Sequence, residues 1–286
     1  MGVQLVIRDG SPNWWESPDI WVVPGPDPNG VPGTPVVGQT AYLWANVSNQ
    51  GDVDVSQVQV DFWIADPSMQ IRKSTSNHIG TAFADIAAKA TQQVLCLVPW
   101  NVSLINGGHE CAVVEASSPA DPLSPPPADP DVLDAPTYPQ IAQKNLSVAL
   151  MMGMSRRELI LSVNAGPRAD KNVDVKVEVG GEISKELLLS LGIRAGRSVG
   201  TKRIGAVVSH RSLCGSPASG EHHALKVHAP RGTSVPVYLN ITASQRLEAD
   251  EYAVVRVMET EQDRLLGGLS VVVMEGQENE NSGGAR

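Results

Sequence analysis

Residues 40–64 read TAYLWANVSNQGDVDVSQVQVDFWI, and this stretch holds two runs in which apolar and polar residues alternate. The apolar residues of the first run share one side of the chain: Ala41, Leu43, Ala45 and Val47. Alternation with period two in β-branched and aromatic residues is typical of a strand that buries one face. The polar residues 49–52 between the runs predict a β-hairpin. A slip of phase at residues 56–57 predicts a bulge, or a loop that ends after Asp54.

The composition extends this prediction to the whole chain. A length of 286 residues is enough for two domains. The 21 Pro and 26 Gly residues are spread without a period, which favours turn-rich β domains and excludes collagen. With 19% charged and 42% hydrophobic residues, the chain is typical of a globular protein with packed cores. We therefore expect an all-β fold of two tandem antiparallel β-sandwiches with a short N-terminal arm.

Turn residues and alternating runs divide the chain into segments. A first sandwich is predicted over residues 17–150, with a Pro-rich insertion at 117–139 that excludes regular structure and a closing strand at 141–150. A second sandwich is predicted over residues 155–275, in which the run ISKELLLSLGI fits either a helical turn or a strand. Residues 276–286 are polar and are predicted to be a disordered tail.

Residues 1–16 are predicted to form the arm, because prolines separate them from the first core. Apolar residues alternate in it at Val3, Leu5 and Ile7. A segment of this kind pairs either with an edge strand of its own chain or with an edge strand of a neighbouring subunit. The arm also carries Trp14 and Trp15, two large amphipathic rings that either anchor on a partner or pack over the first sandwich.

The first half of the chain resembles a known family. The successive runs SPDIWV, GQTAYLWANVSNQGDVDVSQVQVDFWIADP, VLCLVPW, GGHECAVVEAS and IAQKNLSVAL are similar to the bacterial immunoglobulin-like sandwich called the cell-adhesion-related domain (CARDB). The resemblance covers about residues 17–150, and the insertion at 119–139 departs from it. The second half resembles a further immunoglobulin-like sandwich in its last three strands. The resemblance implies an adhesive or structural role, usually in exported proteins.

Charge is unevenly distributed between the two halves. Residues 1–150 contain 5 Lys and Arg against 15 Asp and Glu, and residues 151–286 contain 17 against 16. The acidic first half argues against nucleic-acid binding. The second half has a basic run without an acid between Glu186 and Glu221, and we single out Arg194, Arg197, Lys202 and Arg203 in it as candidate contacts. They fit either an acidic surface of a neighbouring chain or a solvated face.

No pattern typical of catalysis or of cofactor binding occurs. Sequences such as GxSxG, HExxH, the Walker loop and the dinucleotide fingerprint are absent from the chain. Cys96 and Cys111 are interpreted as two buried thiols, although a bridge between neighbouring strands stays open. Aspartates of the insertion, among them Asp129 and Asp131, have oxygen ligands but no calcium-motif spacing. We predict no enzyme, no cofactor and no metal site.

Neither a signal peptide nor an apolar run approaching about 18 residues is seen. The expected compartment is therefore the cytoplasm, or the outside of the cell by a route that reads no leader or after the leader is cut off. The function predicted from the sequence is that of a non-enzymatic structural or interaction protein, which makes protein–protein contacts with a partner or with itself in adhesion, matrix formation or self-assembly. Two alternatives are an accessory module of a secreted hydrolase and a glycan-binding, lectin-like protein that uses the arm tryptophans or the Asp-rich loops.

Overall fold

The computed structural model of the chain describes residues 2–65, 71–103, 111–151, 154–194, 196–212 and 223–276. These residues form strands, one short α-helix, Lys185–Ser190 (α1), and one 3-10 turn, Lys73–Thr75, so the predicted all-β fold is confirmed. The strands are Leu5–Val6 (β1), Ile20–Pro24 (β2), Thr40–Asn49 (β3), Val55–Ala65 (β4), Asn77–Ile86 (β5), Thr91–Leu95 (β6), Trp100–Asn101 (β7), Cys111–Ser117 (β8), Ile141–Lys144 (β9), Leu146–Met151 (β10), Arg156–Asn164 (β11), Lys171–Val179 (β12), Arg197–Ser198 (β13), Ile204–Ser209 (β14), Ala224–Ala229 (β15), Ser234–Ala243 (β16), Glu251–Glu261 (β17) and Arg264–Glu275 (β18).

Two sheets enclose the core of the first sandwich. In one sheet β3 is central, with β1 and β2 end to end along one side and β6 and β7 along the other. The facing sheet has the order β5-β4-β8-β9. The side chains between them form a single apolar cluster that includes Leu43, Phe62 and Val114. Removal of these groups from water is the main stabilising contribution to such a sandwich.

The hairpin predicted from residues 40–64 is wrong, because β3 and β4 belong to opposite sheets. Residues 50–54 cross from one sheet to the other instead of turning within one. Alternation does not separate these two cases, since both strands point their apolar residues into the same core. The bulge is confirmed by a register shift between Val55 and Val58 and by the positive φ of 55° at Gln57.

The second sandwich packs a sheet of the order β10-β18-β17-β12-β15 on a sheet of the order β11-β16-β14. Its core includes Val175, Leu239 and Val271. Two strand pairs are parallel, β13 with β17 and β10 with β18, and the other pairs that the described residues form are antiparallel. Helix α1 resolves the ambiguous run at 183–193. Ser184 caps the helix by accepting from the Leu187 N–H, and Leu188 packs on the outer face of the larger sheet.

The closing strand predicted at 141–150 is two strands of two different sheets. β9 pairs with β8 in the first sandwich, and β10 pairs with β18 in the second. Asn145 stands between them: its N–H donates to the Trp15 carbonyl at 2.8 Å, and its side-chain amide donates to the Gly268 carbonyl at 2.8 Å. The chain therefore passes directly from one sandwich into the other without a linker.

The Pro-rich insertion is irregular in backbone, as predicted, but it packs closely. Leu133 and Tyr138 join a cluster with Cys111 on the outer face of the sheet that contains β8. The Tyr138 hydroxyl donates to the Pro125 carbonyl at 2.9 Å. The predicted tail lies outside the described residues apart from Gly276. The one described helix is far too short to cross a membrane.

Candidate interaction site

The arm is part of the first sandwich. β1 pairs antiparallel with β3, and the side chains of Leu5 and Ile7 are 0% and 1% exposed in the first core, with Val3 half-buried beside them. A Cβ at Gly51 would lie 2.1 Å from the Gly2 carbonyl oxygen, so the crossing from β3 to β4 closes on the arm. Of the two alternatives for the arm, the described chain therefore adopts pairing within itself. A contact of these residues with a second chain stays a prediction and requires the arm to leave this position.

Trp14 and Trp15 are also buried, at 7% and 0% exposure. The Trp15 indole N–H donates to the Ser270 hydroxyl of β18 at 2.9 Å. The indole ring lies against the backbone of Gly268, where an added Cβ would come within 2.5 Å of ring atoms. Both rings also lie in an apolar cluster with Val113 of β8 and Ile141 of β9, so they pack over the first sandwich, which is one of the two alternatives from the sequence. Trp15 packs on the second sandwich as well. These two rings leave little surface for a glycan.

A buried polar network continues from Trp15. The Glu16 carboxylate accepts from Arg256 Nε at 2.7 Å and from the Ser270 hydroxyl at 2.5 Å. The side chains of Glu16 and Arg256 are only 5% and 11% exposed. We call the set Trp15, Glu16, Asn145, Arg256, Gly268 and Ser270 the clasp. Because its members come from the arm, from the position between β9 and β10, and from β17 and β18, the clasp joins the two sandwiches.

The basic run is partly used within the chain. Arg197 pairs with Glu251 at 2.6 Å, and Arg203 pairs with the other oxygen of the same carboxylate. The N–H of Glu248 and these two arginines hold the pKa of Glu251 below its usual value. Arg194 and Lys202 are exposed. Contact of the basic run with a neighbouring chain stays a prediction, for which these two residues offer exposed charges.

The other residues that the sequence singled out also have partners in the chain. Arg72 donates to Asp129 and Asp131 at 3.0 and 3.1 Å. Arg72 lowers the pKa of Asp129, and the Ser74 hydroxyl is the main cause of the lowered pKa of Asp131. These carboxylates hold the insertion in place. Cys96 and Cys111 are free and buried, which confirms the interpretation as two thiols, and burial raises the pKa of both.

A groove that sequence reasoning missed runs between the first sandwich and α1. Trp21 and Trp44 are paired across β2 and β3, and their rings stack with centroids 5.8 Å apart and planes at 8°. Asn46, Gln93 and Glu186 add polar groups to a groove of about 440 Å³. This combination suits a ligand with an apolar face and a hydrogen-bonding rim. Trp44 alternates with the buried Leu43 and Ala45, so its outward direction is readable from the sequence, but its pairing with Trp21 is not.

One long sheet edge is open. Among the described residues, β5 pairs only with β4, along the ten residues Asn77–Ile86. This strand contains no Lys, Arg, Glu or Pro, and its Phe83 is 59% exposed. Its one acidic residue, Asp85, accepts from the Gln57 N–H of β4 at 2.8 Å. Charged side chains, proline and covering segments are what usually protects such an edge. At the far edge of the same sheet, the end of the arm and the residue after it supply the cover. The backbone of Glu16 forms an antiparallel β-bridge with that of Lys144, and the Ser17 N–H donates to the Gln143 carbonyl.

Lys144 at the end of β9 is buried between the sandwiches, with 5% of the residue exposed. Its Nζ donates to the Ile20 carbonyl at 2.9 Å and to the Ser190 hydroxyl at 2.5 Å. Burial lowers the pKa of this amine to about 7. Among the described residues, no Asp or Glu forms an ion pair with it. Nothing in the sequence indicated the burial of Lys144, because a lysine in a polar run usually reaches solvent.

The low pKa of Lys144 predicts a pH dependence of stability. Between pH 7 and about 10.4 the unfolded chain binds a proton at this lysine that the folded chain lacks, so stability contributed here rises as the pH rises. We expect the free energy of unfolding of the native protein, minus that of Lys144→Met, to increase over this range. Urea unfolding of both proteins at a series of pH values measures it. A difference that stays flat with pH contradicts the lowered pKa.

Comparison with known proteins gives no family. No protein-family model and no curated protein sequence matches the chain. Among solved structures, the chain is similar to the CupB6 tip adhesin from Pseudomonas aeruginosa, with 9% identity, a TM-score of 0.27 and coverage of 96% of this chain and 99% of that one. It is also similar to red sea bream transglutaminase (11% identity, TM-score 0.24, coverage 91% and 32%) and to a β-glucuronidase from glycoside hydrolase family 2 (11% identity, TM-score 0.20, coverage 92% and 21%). With TM-scores this low, these likenesses carry no argument about function, and the CARDB-like assignment stays a prediction.

Proposed function

We propose that the chain is a non-enzymatic structural protein of adhesive or assembly-forming type, and that it works through protein–protein contact with further copies of itself. The observation that carries this proposal is the open edge of β5. A partner strand that adds to this edge satisfies backbone N–H and C=O groups that otherwise face water, and it covers the exposed ring of Phe83. Self-association through one edge gives a two-fold pair, in which β5 of each copy lies antiparallel to β5 of the other.

The clasp supports the same proposal. An assembly built by edge-to-edge contact has a defined geometry only if the two sandwiches of each copy keep a fixed relative orientation. The buried ion pair, the ring of Trp15 and the amide of Asn145 serve that purpose at the junction. The CARDB-like and immunoglobulin-like character expected from the sequence is compatible with this role and is part of the proposal.

Replacement of Phe83 by lysine tests the edge. Phe83→Lys adds a charge on the strand along which the two copies would meet, so we expect the dissociation constant of the pair to rise about tenfold or more. Val31→Lys is the matched control, because Val31 is an exposed valine in a loop away from β5. Sedimentation velocity over a range of concentrations measures both variants. A native protein that stays monomeric throughout, or equal association of Phe83→Lys and the native protein, contradicts the proposal.

A further inference from the structure

A second concave feature lies between the sandwiches, beside Lys144 and apart from β5. Its volume is about 310 Å³. The first sandwich contributes apolar walls at Val22, Ile64 and Trp100, and the second contributes Ala149, Leu159 and Leu191. All six of these residues are buried, whereas Leu150 and Arg157 at the rim are exposed. We call this feature the junction cleft.

The charges of the junction cleft have one sign. Of the described residues that line it, Lys144 and Arg157 are basic and none is acidic. The Ser190 hydroxyl that accepts from Lys144 already donates to the Leu187 carbonyl at 2.7 Å. Within the described part of the chain, a protonated Lys144 therefore has two neutral hydrogen-bond acceptors but no counter-charge, which is a costly arrangement inside a protein. An anionic group placed in the cleft supplies the missing charge and accepts the third ammonium proton.

We propose that the junction cleft binds a medium-chain carboxylate, with the carboxylate on Lys144 and the hydrocarbon chain along the apolar walls. Apolar walls with one convergent charged group are the usual composition of a small-molecule site. A water-sized group occupies roughly 30 Å³, so the cleft holds about ten non-hydrogen atoms, which is the number in octanoate. A short inorganic anion leaves the walls unfilled, and a neutral chain leaves the charge of Lys144 unpaired.

Isothermal titration of the full chain with sodium octanoate tests this proposal at about pH 6.5, where burial still leaves most of Lys144 protonated because its pKa is about 7. We expect one saturable site per chain. Lys144→Met keeps an unbranched side chain, one atom shorter, and removes the charge, and it should weaken octanoate binding about tenfold or more. The neutral probe 1-octanol should bind the native protein about tenfold more weakly than octanoate, for the same reason.

A second variant locates the site independently of Lys144. Ser147 lines the cleft and is half-buried, so Ser147→Phe fills the space while leaving the lysine in place. We expect it to lose octanoate binding and to keep the native melting temperature within a few degrees. The proposal is overturned if the native protein shows no saturable binding, if octanol binds as tightly as octanoate, or if either Lys144→Met or Ser147→Phe binds octanoate like the native protein. If Lys144→Met does not fold, the octanol comparison and Ser147→Phe decide the question.

Discussion

Trp15→Ala lowers the free energy of unfolding by about 3–5 kcal/mol, which is the range for truncation of a buried aromatic residue. Trp15 is fully buried although it belongs to an N-terminal arm, and it fills the space between the arm and β18. Its removal also leaves the Ser270 hydroxyl without its indole donor in a buried position. Urea unfolding measures the change.

The matched control for this experiment is Trp21→Ala. Trp21 is a half-buried tryptophan of the same sandwich, but it stacks on Trp44 at the surface and does not touch the clasp. We expect it to cost less than half as much stability as Trp15→Ala. Equal losses in the two variants would mean that Trp15 has no special part in joining the sandwiches.

Glu16→Gln is expected to destabilise the protein by about 3–5 kcal/mol, because it leaves the buried Arg256 guanidinium without its counter-charge. The remaining partners of Arg256 are the carbonyls of Gly180 and Glu182, at 3.3 and 3.1 Å. Neutral oxygens compensate a buried charge poorly. The double variant Glu16→Met with Arg256→Met should recover much of the lost stability, since it removes both charges. Chemical unfolding of the three proteins measures these differences.

An exposed ion pair provides the control. Arg8 and Glu186 also connect the two sandwiches, with an N–O distance of 2.8 Å, but their side chains are 51% and 52% exposed. Glu186→Gln should cost less than about 1 kcal/mol, as for other surface pairs. If Glu16→Gln is as mild as Glu186→Gln, the buried pair of the clasp does not hold the junction.

The fold class and most strands could be predicted from the sequence, because the signal for a strand is local. The alternation of residues 41–47 reports which side chains face a core, and the structure buries all four of its apolar members. The alternation does not indicate which strand pairs with which. The same pattern serves a hairpin within one sheet or a crossing between two, and residues 50–54 adopt the crossing.

The prediction of one closing strand at residues 141–150 was wrong for a related reason. Residues 141–150 look like one strand because both of its parts have strand composition, and the change of sheet depends on Asn145. That residue is fixed by groups from Trp15, Gly268 and Ser270, which are more than a hundred positions away in sequence. A contact of this range has no signature in a single sequence.

For the candidate site residues too, local features could be predicted from the sequence and long-range contacts could not. The ambiguity over Trp14 and Trp15 was visible from composition, since two adjacent large rings need a surface to cover. The identity of that surface depends on Gly268, whose lack of a side chain makes room for Trp15. Lys144 and the partners of Arg197 and Arg203 could not be foreseen either, because burial and ion pairing are properties of the packed molecule.

The central claim is that the arm fastens the two sandwiches by packing Trp15 on Gly268, and a double-mutant cycle on these two residues tests it most directly. Gly268→Ala alone should cost about 1–3 kcal/mol, because the added methyl overlaps the indole ring, while Gly200→Ala, at a position with open space around it, should not show this clash. In the Trp15→Ala background the methyl has room, so the cost of Gly268→Ala should largely disappear and leave a coupling energy of about 1 kcal/mol or more. If Gly268→Ala costs the same with and without Trp15, the two residues are not in contact and the arm does not fasten the sandwiches in this way.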